Sequence, residues 1–276
     1  MSTAAAPAEG RLPSVVAAGW SRGVVETVMF FRERDAVVFT FAFPIILLGI
    51  FGSIFSGTLE GGPLTVSQLY TAGLIGAGVM SASFQNLGIG IAVDRDDGTL
   101  KRLAGTPLPR SAYFLGKIVN VLAVAVLEVA ILLAVGVVAF DLTLPSAPGP
   151  WFTFAWVFLL GITGSALLGI AVSSLPRSAR SATAVISMPF VVLQFISGVF
   201  IPVTQLPEWL INVSSLFPLK WMCQGFRSVF LGDAGAALEL TGSYELDRVA
   251  LVLAAWVAGG LVLCLTTFRW KSRRDG

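Results

Sequence analysis

Six apolar runs, each long enough to cross a lipid bilayer, leave this chain few possible folds. They are Ala36–Phe55, Leu69–Val93, Ile118–Phe140, Trp151–Leu175, Thr183–Val203 and Val249–Phe268. A helix of about 20 residues, rising about 1.5 Å per residue, covers a hydrocarbon core about 30 Å thick. The fifth run contains Pro189, so its helix must kink there or have a freed carbonyl satisfied by a neighbour. The composition agrees: of 276 residues only 12% are charged and 55% are apolar, and the mean hydropathy is +0.84. Soluble domains are nearer about 25% charged. Too little polar surface remains to coat a water-soluble globule, which predicts an all-α polytopic membrane protein. Residues 1–13 read as a disordered Ala/Pro-rich tail, without the basic start and apolar run of a secretory signal, and residues 14–276 as one transmembrane unit.

Several chemistries are excluded. The chain has no histidine, which rules out His-containing metal sites and Ser-His-Asp or Cys-His hydrolases on this chain. No metal ligand set is expected. Cys223 and Cys264 are expected near opposite membrane faces and read as apolar packers rather than a disulfide. A net charge of +2 is too small for a nucleic-acid surface. No G-x-x-x-x-G-K-[ST] phosphate loop occurs, so ATP is not expected to bind here in the P-loop manner.

The distribution of charge predicts the orientation. Fifteen of the eighteen basic residues fall on one side of the six runs: Arg11, Arg22, Arg32 and Arg34; Arg95, Lys101, Arg102, Arg110 and Lys117; Arg177 and Arg180; and Arg269, Lys271, Arg273 and Arg274. Only Lys220, Arg227 and Arg248 fall on the other. By the positive-inside rule both termini are cytoplasmic, and an even number of spans requires both on one side.

Three segments are neither span nor simple loop. Trp20, Val24, Thr27, Val28 and Phe31 share one helical face, with Arg22, Glu26 and Glu33 elsewhere on the wheel. This predicts an amphipathic helix in the cytoplasmic interface, serving either as an anchor alone or as a contact surface. Between spans two and three, Gly98 and Thr99 open a short helix with Leu100, Leu103 and Ala104, ended by Gly105 and Pro107. So short a helix needs something to dock against, unless the segment is a solvated turn. Between spans five and six, Pro207 and Glu208 start a helix that continues through Trp209 for about ten residues, too few to cross. It reads as a re-entrant or interfacial outer helix. A second short helix, Leu219–Phe230, follows Pro218, and then an outer loop, Gly232–Ser243.

Inside the spans, Glu128 lies near the middle of the third. A carboxyl there costs a few kcal/mol on insertion scales and must meet a partner, a cavity or water. Two readings stand: a substrate-path or coupling residue, or a neutral packing group bonded to Gln85, Asn86 or Gln194. Gly161, Ser165, Gly169 and Ser173 recur every four residues in span four, and Gly78, Ala82, Asn86 and Gly90 in span two. Such stripes allow close helix approach, most simply within the chain.

The run Asp94–Arg110, with Gly-Thr-Leu-Lys-Arg-Leu followed by Thr-Pro-Leu-Pro, resembles the cytoplasmic segment of ABC-2 type permeases. Ser197-Gly-Val-Phe-Ile-Pro202, then Leu206-Pro-Glu-Trp-Leu210 and Phe217-Pro-Leu219, is similar to that family's outer segment before the last span. The resemblance covers nearly the whole chain. It implies a permease subunit of an ABC exporter in the cell membrane, with drug and antibiotic efflux permeases as the nearer likeness. It also implies a second permease copy, two ATP-binding subunits that hold ATP and Mg, and surrounding membrane lipid. The contacts to the ATPases are then expected at Asp97, Gly98, Leu100, Lys101, Arg102 and Leu103 and at the interfacial helix, marked by Trp20, Arg22 and Phe31. Gln85, Asn86, Glu128 and Gln194 are candidates for the translocation path, and Pro207, Glu208, Trp209 and Pro218 for the outer element. A lipid-linked glycan cargo, a membrane-embedded enzyme using Glu128 and an assembly protein are the other readings.

Overall fold

The computed structural model describes residues 14–54, 57 and 64–268, and the regular structure among them is helical. In chain order the helices are α1 (Val15–Arg32), α2 (Arg34–Ile54), α3 (Val66–Asp96), α4 (Thr99–Ala104), α5 (Arg110–Phe140), α6 (Pro148–Val172), α7 (Ala179–Ile196), α8 (Glu208–Ser215), α9 (Pro218–Leu231) and α10 (Leu246–Thr267). Six of them (α2, α3, α5, α6, α7 and α10) are long and apolar enough to cross a membrane, which agrees with the six runs. The tail at 1–13 lies outside the described residues.

The differences in boundaries have local causes. Helix α5 begins eight residues before Ile118, which places Arg110 and Lys117 on the helix rather than in a connection. Helix α7 stops at Ile196, short of Val203, because the chain turns at Gly198 with φ of 80°. A Cβ there would lie 2.9 Å from Val203 Cγ1 and 3.0 Å from the Arg227 guanidinium, so the turn needs glycine twice over. Pro189 falls within α7 and Pro44 within α2.

Small residues set the core geometry. Helix α9 is buried along its whole length except at Ser228, packed against α3, α6 and α10. Gly76 of α3 admits Cys223, and Gly161 of α6 admits Met222. At the α3–α6 crossing, a Cβ on Gly169 would lie 2.7 Å from the Phe84 carbonyl oxygen. The span-four stripe therefore packs within the chain. Gly78 of the span-two stripe instead faces Glu128 of α5. Cys223 and Cys264 are both free thiols.

Helix α1, capped by Ser14 Oγ accepting from Ala17 N at 3.2 Å, lies against α5. A Cβ on Gly19 or Gly23 would collide with Leu115 or Val119, so the two backbones run in close contact. The opposite face, with Trp20, Val24, Val28 and Phe31, stays exposed, Trp20 by 62%. This is the apolar face expected of an amphipathic helix lying on a membrane. Helices α2 and α10 bury only two and three residues each and form the periphery of the bundle.

Candidate transport groove and the charged end of the bundle

A groove of about 550 Å³ lies among α2, α3, α5 and α7. All four polar residues singled out within the spans, Gln85, Asn86, Glu128 and Gln194, line it. The reason is general: a polar side chain in a membrane helix avoids lipid and turns inward. Residues Ser81–Asn86 form a π-segment within α3. Its turn closes i→i+5, so Gln85 and Asn86 both reach the groove below Ser81, and such bulges recur at functional sites. Gln85 Nε2 donates to Ser187 Oγ at 3.0 Å, which ties α3 to α7.

Apart from Thr40 and Ser81, the rest of the wall is apolar and aromatic, with Phe39, Phe43 and Phe51 before α3 and Phe190, Phe195 and Phe200 in and after α7. Sequence reasoning missed this concentration, because the six rings are spread over two distant segments with no local motif. The hydrogen bonds considered for Glu128 do not form. Glu128 is 2% exposed, its Oε2 has no hydrogen-bond partner, and the Asn86 amide nitrogen is likewise unpartnered.

At the end of the bundle that carries α1 and α4, Lys117 is buried between two carboxylates, 2.9 Å from Glu26 Oε2 and 2.7 Å from Asp94 Oδ2. Tyr113 donates to the same Asp94 oxygen at 2.8 Å, and Arg22 pairs with Glu26. One polar cluster thus joins α1, α3 and α5. It borders a cavity of about 430 Å³, which shares Asn86 with the groove. The sequence displayed Lys117 only as one of many orienting charges. Its partners stand 23 and 91 positions away, and no spacing rule links them.

The predicted short helix is α4. Gly98 enters it with φ of 78°, and Asp97 Oδ1 accepts from Thr99 N at 2.8 Å. Arg102 closes the turn on the Asp97 carbonyl at 3.2 Å and on Thr99 Oγ1 at 2.9 Å. Asp97, Lys101 and Arg102 are exposed and Leu103 is half-buried. Leu100 departs from expectation: at 1% exposure it holds α4 to the bundle and presents nothing outward. The segment is fastened at its entry, since Arg95 Nη1 donates to the Ser173 carbonyl at 2.6 Å and Asp96 Oδ2 accepts from Ala179 N at 2.9 Å. These bonds tie it to the ends of α6 and α7.

At the opposite end, Pro207 precedes α8, with Glu208 in its first turn and Trp209 66% exposed. Pro218 opens α9, where a missing N–H is harmless. Arg227 of α9 bonds both carboxylate oxygens of Glu239, at 2.5 and 3.1 Å, and the Gly198 carbonyl at 3.3 Å. Burial, reinforced by the charge of Glu239, pushes the Tyr244 phenol above its ordinary pKa, so it stays protonated and donates to the Gly232 carbonyl at 2.8 Å. The 218–244 region is therefore locked by polar contacts across its length.

Comparison with known proteins places this architecture. The ABC-2 type transporter family profile matches residues 24–231, from within α1 to the last residue of α9. A probable multidrug ABC transporter permease of Escherichia coli, YbhR, is 29% identical over 146 residues, covering 53% of this chain and 39% of that protein. A putative transport permease of Porphyra purpurea, ycf38, is 25% identical over 194 residues, covering 68% of this chain and 65% of that protein. The chain thus spans less than two thirds of the length of either relative. With a family match over most of its length and six helices able to cross a membrane, this chain belongs to the ABC-2 type transporter family.

Proposed function

We propose that the chain is the permease subunit of an ATP-driven exporter in the cell membrane, carrying a hydrophobic or amphipathic small molecule out of the cytoplasm or inner leaflet. The groove is the observation that carries this reading. Its volume of about 550 Å³ suits a drug-sized molecule, and an apolar, aromatic-rich wall with a few polar groups is how such sites are built. A glycan, with a hydroxyl on nearly every carbon, would need more polar partners than the groove offers. The multidrug name of the bacterial relative points the same way. On this reading two ATP-binding subunits hold ATP and Mg. They engage the exposed side of α4 at Asp97, Lys101 and Arg102, and both chain termini are cytoplasmic. A second permease copy completes the pathway, and ATP-driven closure rocks the pair between inward- and outward-open states.

The test is to co-express the tagged full chain with the products of its neighbouring genes, then purify in mild detergent and look for an ATP-binding subunit. We expect the ATPase to co-purify, and expect Lys101→Glu with Arg102→Glu to abolish that while the permease remains folded. A well-folded chain that retains no ATP-binding subunit and confers no ATP-dependent efflux would overturn the reading.

A further inference from the structure

Glu128 is the only titratable residue among those lining the groove. It is 98% buried, on the basis of its 2% exposure, and Oε2 has no hydrogen-bond partner. It takes part in no ion pair among the described residues. Space is provided for the carboxyl: it packs on Gly78 of α3, where a Cβ would lie 2.7 Å from Glu128 Cδ. A buried acid is tolerated when it is paired, and no lysine or arginine lines this groove to pair with it. The surrounding phenylalanine rings carry negative π-faces, which attract a cation and repel an anion. The carboxyl thus opens on an aromatic-rich groove in which no lining residue supplies a positive group to meet it.

We propose that Glu128 receives the cationic group of the cargo, so that the exported molecules are amphipathic cations. The positive centre sits against the Glu128 carboxylate beside Gly78, and the apolar or aromatic body lies along Phe39, Phe43, Phe190 and Phe195. This names the substrate class of the groove and rests on the transport reading above.

Tetraphenylphosphonium and tetraphenylborate have nearly the same shape and opposite charge, which makes them the probes. Binding to the purified full chain in lipid nanodiscs is measured directly, with no transport required. We expect saturable tetraphenylphosphonium binding, at least about tenfold tighter than tetraphenylborate, a ratio that one charge contact can supply. Glu128→Gln should weaken the cation at least about tenfold and leave the borate unchanged. Glu128→Asp should retain the preference for the cation. Gly78→Ala should weaken the cation by crowding the carboxyl while keeping the acid, so the test does not hang on one variant. Equal binding of the two ions, no saturable binding, or full cation affinity in Glu128→Gln would overturn the proposal. None of these results touches the co-purification and efflux on which the transport reading stands.

Discussion

Lys117 bonds carboxylates from two other helices, and single-residue consequences are sharpest there. Replacing it with methionine keeps much of the apolar stem but takes the cation from Asp94, which keeps the Tyr113 hydrogen bond, and leaves Glu26 paired with Arg22. Breaking a buried pair from one side costs about 3–5 kcal/mol. Lys117→Met should therefore lower the thermal midpoint of the detergent-solubilised chain by several degrees and make α1 the first segment cut by limited proteolysis. The triple change that also neutralises Glu26 and Asp94 should recover part of the loss. Gly169 is governed by sterics rather than charge. Its Cβ would meet the Phe84 carbonyl at 2.7 Å, and backbone cannot retreat as a flexible side chain can. Gly169→Ala should thus be more damaging than Gly161→Ala, where the neighbour is the adaptable Met222. Thermal midpoints of the two variants, compared in one detergent, check the order.

Among the elements, α4 shows how much of the site the sequence could reveal. Its existence was legible from Gly98, Thr99 and Gly105, because caps and breakers act locally. Which face turns inward was not, since six residues are too few for a periodicity to appear. Leu100 is the anchor, and Leu100→Ala should destabilise the chain by about 2–5 kcal/mol. Lys101→Glu with Arg102→Glu should lower the thermal midpoint far less than Leu100→Ala, since it removes only exposed bonds such as those of Arg102, and should act mainly on partner binding. Melting curves of both variants separate holding the helix from presenting it. The spans were legible for a firmer reason: crossing a bilayer fixes both length and composition. The same constraint turned Gln85, Asn86, Glu128 and Gln194 toward one groove, so the polar part of that site could be read in advance. Its aromatic wall could not, because phenylalanine suits lipid and groove equally well and sequence alone does not say which way a ring points.

At the scale of the whole molecule, exposed apolar side chains concentrate on α1, α2, α5, α7 and α10, while α9 is enclosed. On α2 the exposed residues outside the groove include Val38, Ile46 and Ile50, a surface for lipid or for a second copy. If a second copy covers it, a cysteine at Ile46 should cross-link to its counterpart in membranes under mild oxidation. A cysteine at exposed Leu251 on the far helix α10 should not. Orientation is testable in the same background. With Cys264 replaced and Cys223 left buried, a cysteine at Thr241 should react with an impermeant maleimide in intact cells, and one at Thr106 only after lysis. Helix α9 also bears on how the chain is made. Lys220, Gln224 and Arg227 make it a poor candidate for entering lipid unaided, yet it ends up the most enclosed helix of the bundle. Its seat is built by α3 and α6, which leave the ribosome earlier, with Gly76 and Gly161 holding the space open. Biogenesis must therefore run in order: the early spans wait with an unfilled trough, and a chain stalled before residue 218 would expose that trough to the quality-control proteases of the membrane.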